Sequence, residues 1–412
     1  MNLDMIVRNA RLQSRASVDV GIAAGRIACV EPRIAGEAEI VDVGGRLVVP
    51  GFVETHLHLD KACILDRCHI EEGTPAEAVR LTAAAKRDFT FDDIGARGSR
   101  LLDKCITQGT TRIRTHVEVD PGIGLLGVEA VQQLAADYAW AVDIELCVFP
   151  QEGLLNNPGT DALMVAALAR GARVVGAAPY FDSNPRGQID RVFEIARAAD
   201  CDIDMHLDLG DTTDGMQAEY VCRKTEEYRY GGRVAIGHVT QLSLLPPDRF
   251  AAIARQLANA GVAVTVLPAT DLFLTGRLQT HAKPRGVVHA AEIVAHGANC
   301  SISTNNVLNP FTPFGDASLI RMANLYANVC QVSQPVPLAE CLTMVTSRAA
   351  RLMRLQDYGI APGNPADLVV LDAYDPALAV AEIVPVLWGM KGGRRTVTRA
   401  RPILHKPTGD VS

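Results

Sequence analysis

Eight apolar runs of strand length recur along the chain, at Gly51 to His58, Arg112 to Val119, Val142 to Phe149, Arg173 to Ala177, Cys201 to Asp208, Arg233 to Val239, Val262 to Leu267 and Asn299 to Ser303. Between them the apolar spacing turns helical. In 186–200, for example, Ile189, Val192, Phe193, Ala196 and Ala199 fall three or four apart and line one face. Eight such strand-helix units over about 300 residues predict an α/β fold, a (β/α)8 TIM-like barrel whose working groups sit at the C-terminal ends of its strands.

The two ends follow another rhythm. Residues 3–50 hold short alternating runs (Met5 to Val7, Val18 to Val20, Arg26 to Val30, Glu39 to Val41) between Gly and Ala turns, the pattern of a β-meander. From about residue 360 short β runs return, at Ala366 to Asp372 and Pro385 to Trp388, followed by a Lys391-Gly392-Gly393 turn. The ends are therefore expected to pair into one small β-sandwich domain, 1–50 with 360–412, beside a catalytic barrel over 51–359. A chain of 412 residues has room for both.

Composition limits the partners. With 40 Lys+Arg against 47 Asp+Glu the net charge is −7, which excludes a basic nucleic-acid coat. The hydrophobic share of 48% supports a large core, yet there is no unbroken apolar stretch of roughly 18 residues, so no membrane span is expected. The start, MNLDMIVRNARLQ, reads as a strand and not as a targeting leader. Ten cysteines scattered from Cys29 to Cys341 without a CxxC favour reduced thiols and a cytoplasmic location. A homo-oligomer is compatible with all of this.

Five of the ten histidines, His56, His58, His116, His206 and His238, fall in the last residues of strand runs. Residues two apart in a strand point the same way, so His56 and His58 project together into the barrel mouth and can grip one cation. His206 on a later strand and His238 on the next strengthen this, because catalytic zinc sites commonly use three protein ligands and leave one position open. His116 reads either as a group behind the ligands or beside the substrate, or as a satisfied core histidine. The sequence His116-Val117-Glu118 also matches the His-x-Glu of the nucleoside and tRNA deaminases, but their Pro-Cys-x-x-Cys partner is missing. Asp271 follows the seventh strand, where it either meets a substrate amino group or caps a helix. Asp60 and Lys61 either touch substrate or, as the default reading, form an ordinary salt-bridged loop; the run Arg394 to Arg401 reads as a solvated face, and His69, His281, His289, His296 and His405 as structural or surface residues.

The run Val49 to Asp60, containing Glu54-Thr55-His56-Leu57-His58, resembles the opening strand of the amidohydrolase superfamily, and most closely its cytosine deaminase branch with the related amino-triazine hydrolases. Further points of resemblance are Arg114 to Val117, Phe149-Pro150-Gln151-Glu152-Gly153, Gly237-His238, Gly276-Arg277 before Lys283 to Gly286, Asn309 to Phe311 with Pro313 to Gly315, and Tyr358 through Asp367 to Leu368. The resemblance spans nearly the whole chain. It implies that His56, His58 and His206 bind a metal, that His238 polarises the attacking water or stabilises the intermediate, that Gln151 binds the substrate ring and that Phe311 forms an aromatic wall. Family members with two metals bridge them by a modified lysine on a middle strand. Neither 142–150 nor 173–179 contains Lys, so one divalent ion is expected, zinc or iron with manganese as a third option.

Two positions depart from the family pattern. A ring-protonating glutamate is expected three residues after the third metal histidine, where this chain has Leu209; the eighth strand should end in a metal-binding aspartate, where this chain has Asn305. An amide can ligate but is no useful base, so the proton needs another acceptor, with Asp208 the first candidate beside His238 and Asp211 the second. The reading is a metal-dependent hydrolase that deaminates a cytosine-like or triazine-like cyclic amidine, with a small heterocycle as its partner. The alternative is a catalytically impaired or diverged amidohydrolase that binds a heterocycle or cleaves a non-ring amide or carbamate.

Overall fold

The computed structural model describes residues 2–14, 17–400 and 402–405. The expected extension of the small domain over 406–412, and residue 401 of the basic run, lie outside the described residues. The strands in chain order are β1 (Met5–Arg11), β2 (Ser17–Ala23), β3 (Arg26–Glu31), β4 (Glu39–Asp42), β5 (Val48–Pro50), β6 (Phe52–Leu57), β7 (Thr110–Glu118), β8 (Asp143–Phe149), β9 (Val174–Ala177), β10 (Asp202–Leu207), β11 (Val234–His238), β12 (Val262–Val266), β13 (Cys300–Ile302), β14 (Leu368–Leu371), β15 (Val386–Lys391) and β16 (Arg394–Thr398).

Strands β6 to β13 form one eight-stranded sheet in chain order, each pairing parallel with the next. This is the predicted (β/α)8 barrel, and every β6 and β7 side chain is buried because helices cover one face and the barrel interior the other. Four of the helices begin at side-chain caps of this kind: Thr74, Thr90, Asn184 and Ser318 each accept a backbone N–H from the first turn. The helix Pro185–Ala199 buries Ile189, Val192, Phe193, Ile195 and Ala196. Ala199, expected on that face, is exposed, because it sits in the last turn ahead of the left-handed Asp200.

The seam between β13 and β6 is closed in an unusual way. Thr55 N donates to Ser303 Oγ at 2.9 Å, and the Thr55 hydroxyl shares hydrogen bonds with Ser301 and Ser303 at 2.8 and 2.7 Å. One residue higher the backbone takes over: Asn305 N donates to the His56 carbonyl at 2.9 Å and His58 N donates to the Asn305 carbonyl at 3.1 Å. Asn305 reaches this position with φ +65°, a left-handed conformation that asparagine tolerates better than most residues.

Two further four-stranded sheets, ordered β3-β2-β1-β4 and β16-β15-β14-β5, come from the chain ends. Their facing sides share a core of Val7, Ile22, Val48, Leu368, Trp388 and Met390, as a sandwich requires. The N-terminal sheet is not a pure meander, since β4 returns to pair parallel with β1. In the other, β5 joins β14 antiparallel, and Gly392 and Gly393, both at positive φ, turn β15 back into β16. Among the described residues all ten cysteines are free thiols and no helix is long and apolar enough to cross a membrane.

Candidate metal centre and active site

The strand register brings the C-terminal ends of β6, β10 and β11 to one level, and with them His56, His58, His206 and His238. The Nε2 atoms of His56 and His206 lie 3.0 Å apart, and those of His206 and His58 lie 3.2 Å apart. Donor atoms of His56, His206 and His238 lie mutually within 4.8 Å, so His238 faces the same point and His58 joins through His206. The His58 Nδ1 atom sits 3.0 Å from the His116 carbonyl, which must receive an N–H. That fixes the tautomer and leaves a bare lone pair at Nε2. Burial first, then the neighbouring imidazoles and, foremost among the charges at His58, the Lys61 ammonium hold His56, His58 and His206 well below the usual histidine pKa, which favours the neutral, ligating form.

With His58 Nε2 bare, one N–H on His56 or His206 can satisfy only one of these two contacts, and the other sets two lone pairs against each other unless a cation bridges them. Two nitrogens each about 2.1 Å from one ion and at right angles to each other stand about 3.0 Å apart, which matches the separations here. Asn305 adds a second sign: it is 1% exposed, and neither its Oδ1 nor its Nδ2 has a hydrogen-bond partner among the described residues. A soft-to-borderline divalent cation fits this donor set, and an amide oxygen such as that of Asn305 is a compatible further donor.

Around the cluster, His238, Asp208 and Asp211 have definite hydrogen-bond partners, whereas among the described residues neither ring nitrogen of His116 has one. His238 Nδ1 is 2.6 Å from Asp271 Oδ1, and Asp271 Oδ2 accepts Leu267 N at 3.2 Å. Burial holds the Asp271 carboxyl above the usual carboxylate range, with His238 pulling the other way. His116 stacks on His56 with ring centres 3.8 Å apart, and its Nε2 is 3.5 Å from Asp204, which Arg114 holds at 2.9 Å. Both oxygens of Asp208 accept backbone N–H groups, of Gln217 at 2.8 Å and Ala218 at 3.0 Å, while burial pushes its carboxyl up to about 6. Asp211 accepts Gly276 N at 2.8 Å. Leu209, in place of the acid, packs into an apolar cluster with Phe311, Ala78 and Leu274.

Beside the imidazoles, Gln151 and Phe311, the two residues expected to orient a ring, share a wall with Lys61. Lys61, 2% exposed, donates to Glu118 Oε1 at 2.7 Å and to Gln151 Oε1 at 3.0 Å. Its ammonium lies 4.4 Å from the ring centre of Phe311 and 5.3 Å from that of Phe149, which in turn stacks on His206 at 4.5 Å. Glu118 is also bound by Lys86 at 3.0 Å, and Lys86 reaches Asp120 at 2.5 Å and Glu152. Burial by itself raises a carboxyl pKa, but Lys61 and Lys86 pull Glu118 down to about 2. The loop of Asp60 and Lys61 is thus salt-bridged as expected but buried against Gln151 and Phe311. The available signal was the close succession of Lys61 after His58 and of Gln151 after Phe149.

With this geometry in hand, known proteins can be set beside the chain. The model of the Amidohydrolase family matches residues 124–397. The structure of 5-methylcytosine deaminase from Klebsiella pneumoniae liganded with 5-fluorocytosine superposes with a TM-score of 0.94 at 26% identity, covering 98% of this chain and 100% of that one. N-isopropylammelide isopropyl amidohydrolase of Pseudomonas sp. (strain ADP) is 27% identical over 95% of this chain and 97% of its own length. Pterin deaminase of Rhizobium rhizogenes is 25% identical over 86% and 82%. Sequence, barrel and imidazole cluster agree: the chain belongs to the amidohydrolase family of metal-dependent C–N hydrolases, in its cytosine deaminase-like branch.

Proposed function

We propose that this protein hydrolyses an exocyclic C–N bond of a cytosine-like or triazine-like cyclic amidine, releasing ammonia or a small amine. The observation that carries the reading is the convergence of His56, His58 and His206 through Nε2 contacts of 3.0 and 3.2 Å, directly beside the His238–Asp271 pair. The relatives' names point the same way, since all three act on nitrogen heterocycles.

His56, His58 and His206 would hold one divalent ion, zinc or iron with manganese as a third option, and Asn305 borders it. When bound, such an ion makes its water acidic enough to act as hydroxide near neutral pH. The rest falls to side chains. Asp271 takes the Nδ1 proton of His238 in a hydrogen bond and leaves Nε2 free to accept a proton on the pocket side. His238 is the better proton carrier than Asp208, whose two oxygens are already occupied by backbone N–H groups. Gln151 and Phe311 orient the ring, and His116, stacked behind His56, keeps that imidazole from tilting.

A second reading, binding without turnover, is favoured by Leu209, which removes the ring-protonating acid and packs in its place against Phe311. Ammonia and amine release from a panel of aminopyrimidines and aminotriazines, with the protein loaded with zinc, iron or manganese, separates the two. Turnover of at least one ring, abolished by chelation, is the expected result. Bound ring without release from any metal form overturns hydrolysis and leaves the binding reading.

A further inference from the structure

A cavity of about 300 Å³ opens between the helices Pro268–Leu274 and Leu319–Val329, beside the candidate active site. Thr304 and Asn306, the neighbours of Asn305, line it, whereas Gln151, Phe311 and the clustered histidines do not. We infer that this cavity is a second ligand site, for a neutral, fused-ring aromatic molecule that carries one carbonyl-type oxygen. It stands apart from the hydrolase reading, since no step of that reaction uses it.

The lining sets the ligand class. Leu272 and Phe273 come from the first helix, Met322 and Leu325 from the second, and Phe314 from the chain between them. Phe273 and Phe314 meet edge to face with ring centres 5.7 Å apart, and a methionine sulfur also favours aromatic neighbours. Leu272 and Phe314 remain 40% and 57% exposed, apolar area that a bound ring would cover. The volume is twice that of a cavity of about 150 Å³, which holds one benzene ring. One part of the lining is polar. Asn306 is 3% exposed and its Oδ1 accepts from Asn309 Nδ2 at 2.7 Å, which sets the amide orientation and leaves its own NH2 over. Among the described residues no acceptor takes that NH2, so the ligand atom that suits it is an oxygen. Arg321, also in the lining, does not call for an anion, because its Nε and Nη2 each lie 2.9 Å from Asp316.

The test titrates 1-indanone and indane, fused-ring probes that differ by one carbonyl oxygen, into the full chain in the presence of zinc. Methionine methyls carry ¹³C, and the Met322 signal is assigned by its loss in Met322→Leu. Neither probe has a nitrogen to ligate the metal and no turnover is read, so failure here and failure of the hydrolase reading are separate results. Both probes should shift the Met322 methyl saturably, 1-indanone binding about three- to tenfold more tightly. Asn306→Asp keeps the oxygen that Asn309 needs but turns the donor into an acceptor, and should erase the 1-indanone advantage while leaving indane unchanged. Ala269→Phe, at a partly exposed position in the lining, should fill the cavity and abolish the Met322 shift with either probe. An unmoved Met322 signal, equal affinity for the two probes in the parent, an advantage that survives Asn306→Asp, or an unchanged shift in Ala269→Phe overturns the assignment. If Asn306→Asp does not fold, the probe pair and Ala269→Phe decide it.

Discussion

Replacing Asp271 by asparagine changes a proton's address without changing the shape of the site. Asp271 uses one oxygen for His238 Nδ1 at 2.6 Å and the other for Leu267 N at 3.2 Å, and it is 0% exposed, so no water replaces either bond. An asparagine has a single oxygen. The Leu267 N–H needs an acceptor, so the amide oxygen turns to it and the NH2 faces His238 Nδ1. His238 must then accept at Nδ1 and carry its proton on Nε2, the reverse of the arrangement that leaves Nε2 able to take one. The loss is that of a positioned acid-base group, about 10²- to 10⁴-fold in kcat, or about 3–5 kcal/mol of barrier. Metal stoichiometry should stay unchanged and KM should move by no more than about threefold, because no ligand or ring contact is removed. Steady-state kinetics on the metal-loaded protein, with ¹⁵N spectra of the His238 ring to read the tautomer, would check it. An Asp271→Asn protein with kcat within about threefold of the parent, or with the original tautomer, refutes the reasoning.

Three other outcomes follow from the same geometry. Asn305→Asp places a carboxylate where two buried amide atoms now lack hydrogen-bond partners, and should slow metal loss to a chelator by about 10- to 100-fold in metal analysis; unchanged retention refutes it. Lys86→Met strips Glu118, Asp120 and Glu152 of their shared cation and should cost about 3–5 kcal/mol, a fall in Tm on the order of 5 °C, against a change under about 1 °C if the network is idle. Because Glu118 titrates at about 2 when folded and near about 4.3 when unfolded, its contribution is complete above the upper value and lost as pH falls through the lower. The Tm margin of the parent over Glu118→Gln should therefore shrink as pH drops from about 4.5 towards 2, and a constant margin sinks the claim.

The barrel was legible because short apolar-rich strand runs alternate with helices that bury one stripe: the expected run Cys201 to Asp208 and the observed β10, Asp202–Leu207, differ by one residue at each end. The histidines were legible for the same reason, since strand ends converge in this fold. What stayed hidden depends on contacts made across the sequence. A lysine after a strand reads the same whether its ammonium reaches water or is sandwiched between Phe149 and Phe311, so the residues alone did not choose between a substrate contact and an ordinary salt-bridged loop for Lys61. Asp271 was placed at the pocket rim by its loop, yet nothing local says that its carboxylate meets His238. The return of β4 to β1 is likewise a long-range pairing that alternation alone does not encode.

The pairing of β5 with β14 has a consequence for biosynthesis. Residues 48–50 emerge from the ribosome early, but their hydrogen-bonding partners at 368–370 come more than 300 residues later, a delay on the order of half a minute at 5–20 residues per second. Until then β5 has no strand to pair with, and the inner face of the first-made sheet lacks the sheet that covers it. A stalled or truncated polypeptide would present that strand and that face to other chains, so its failure in a cell would take the form of aggregation during translation before any loss of catalysis could be felt.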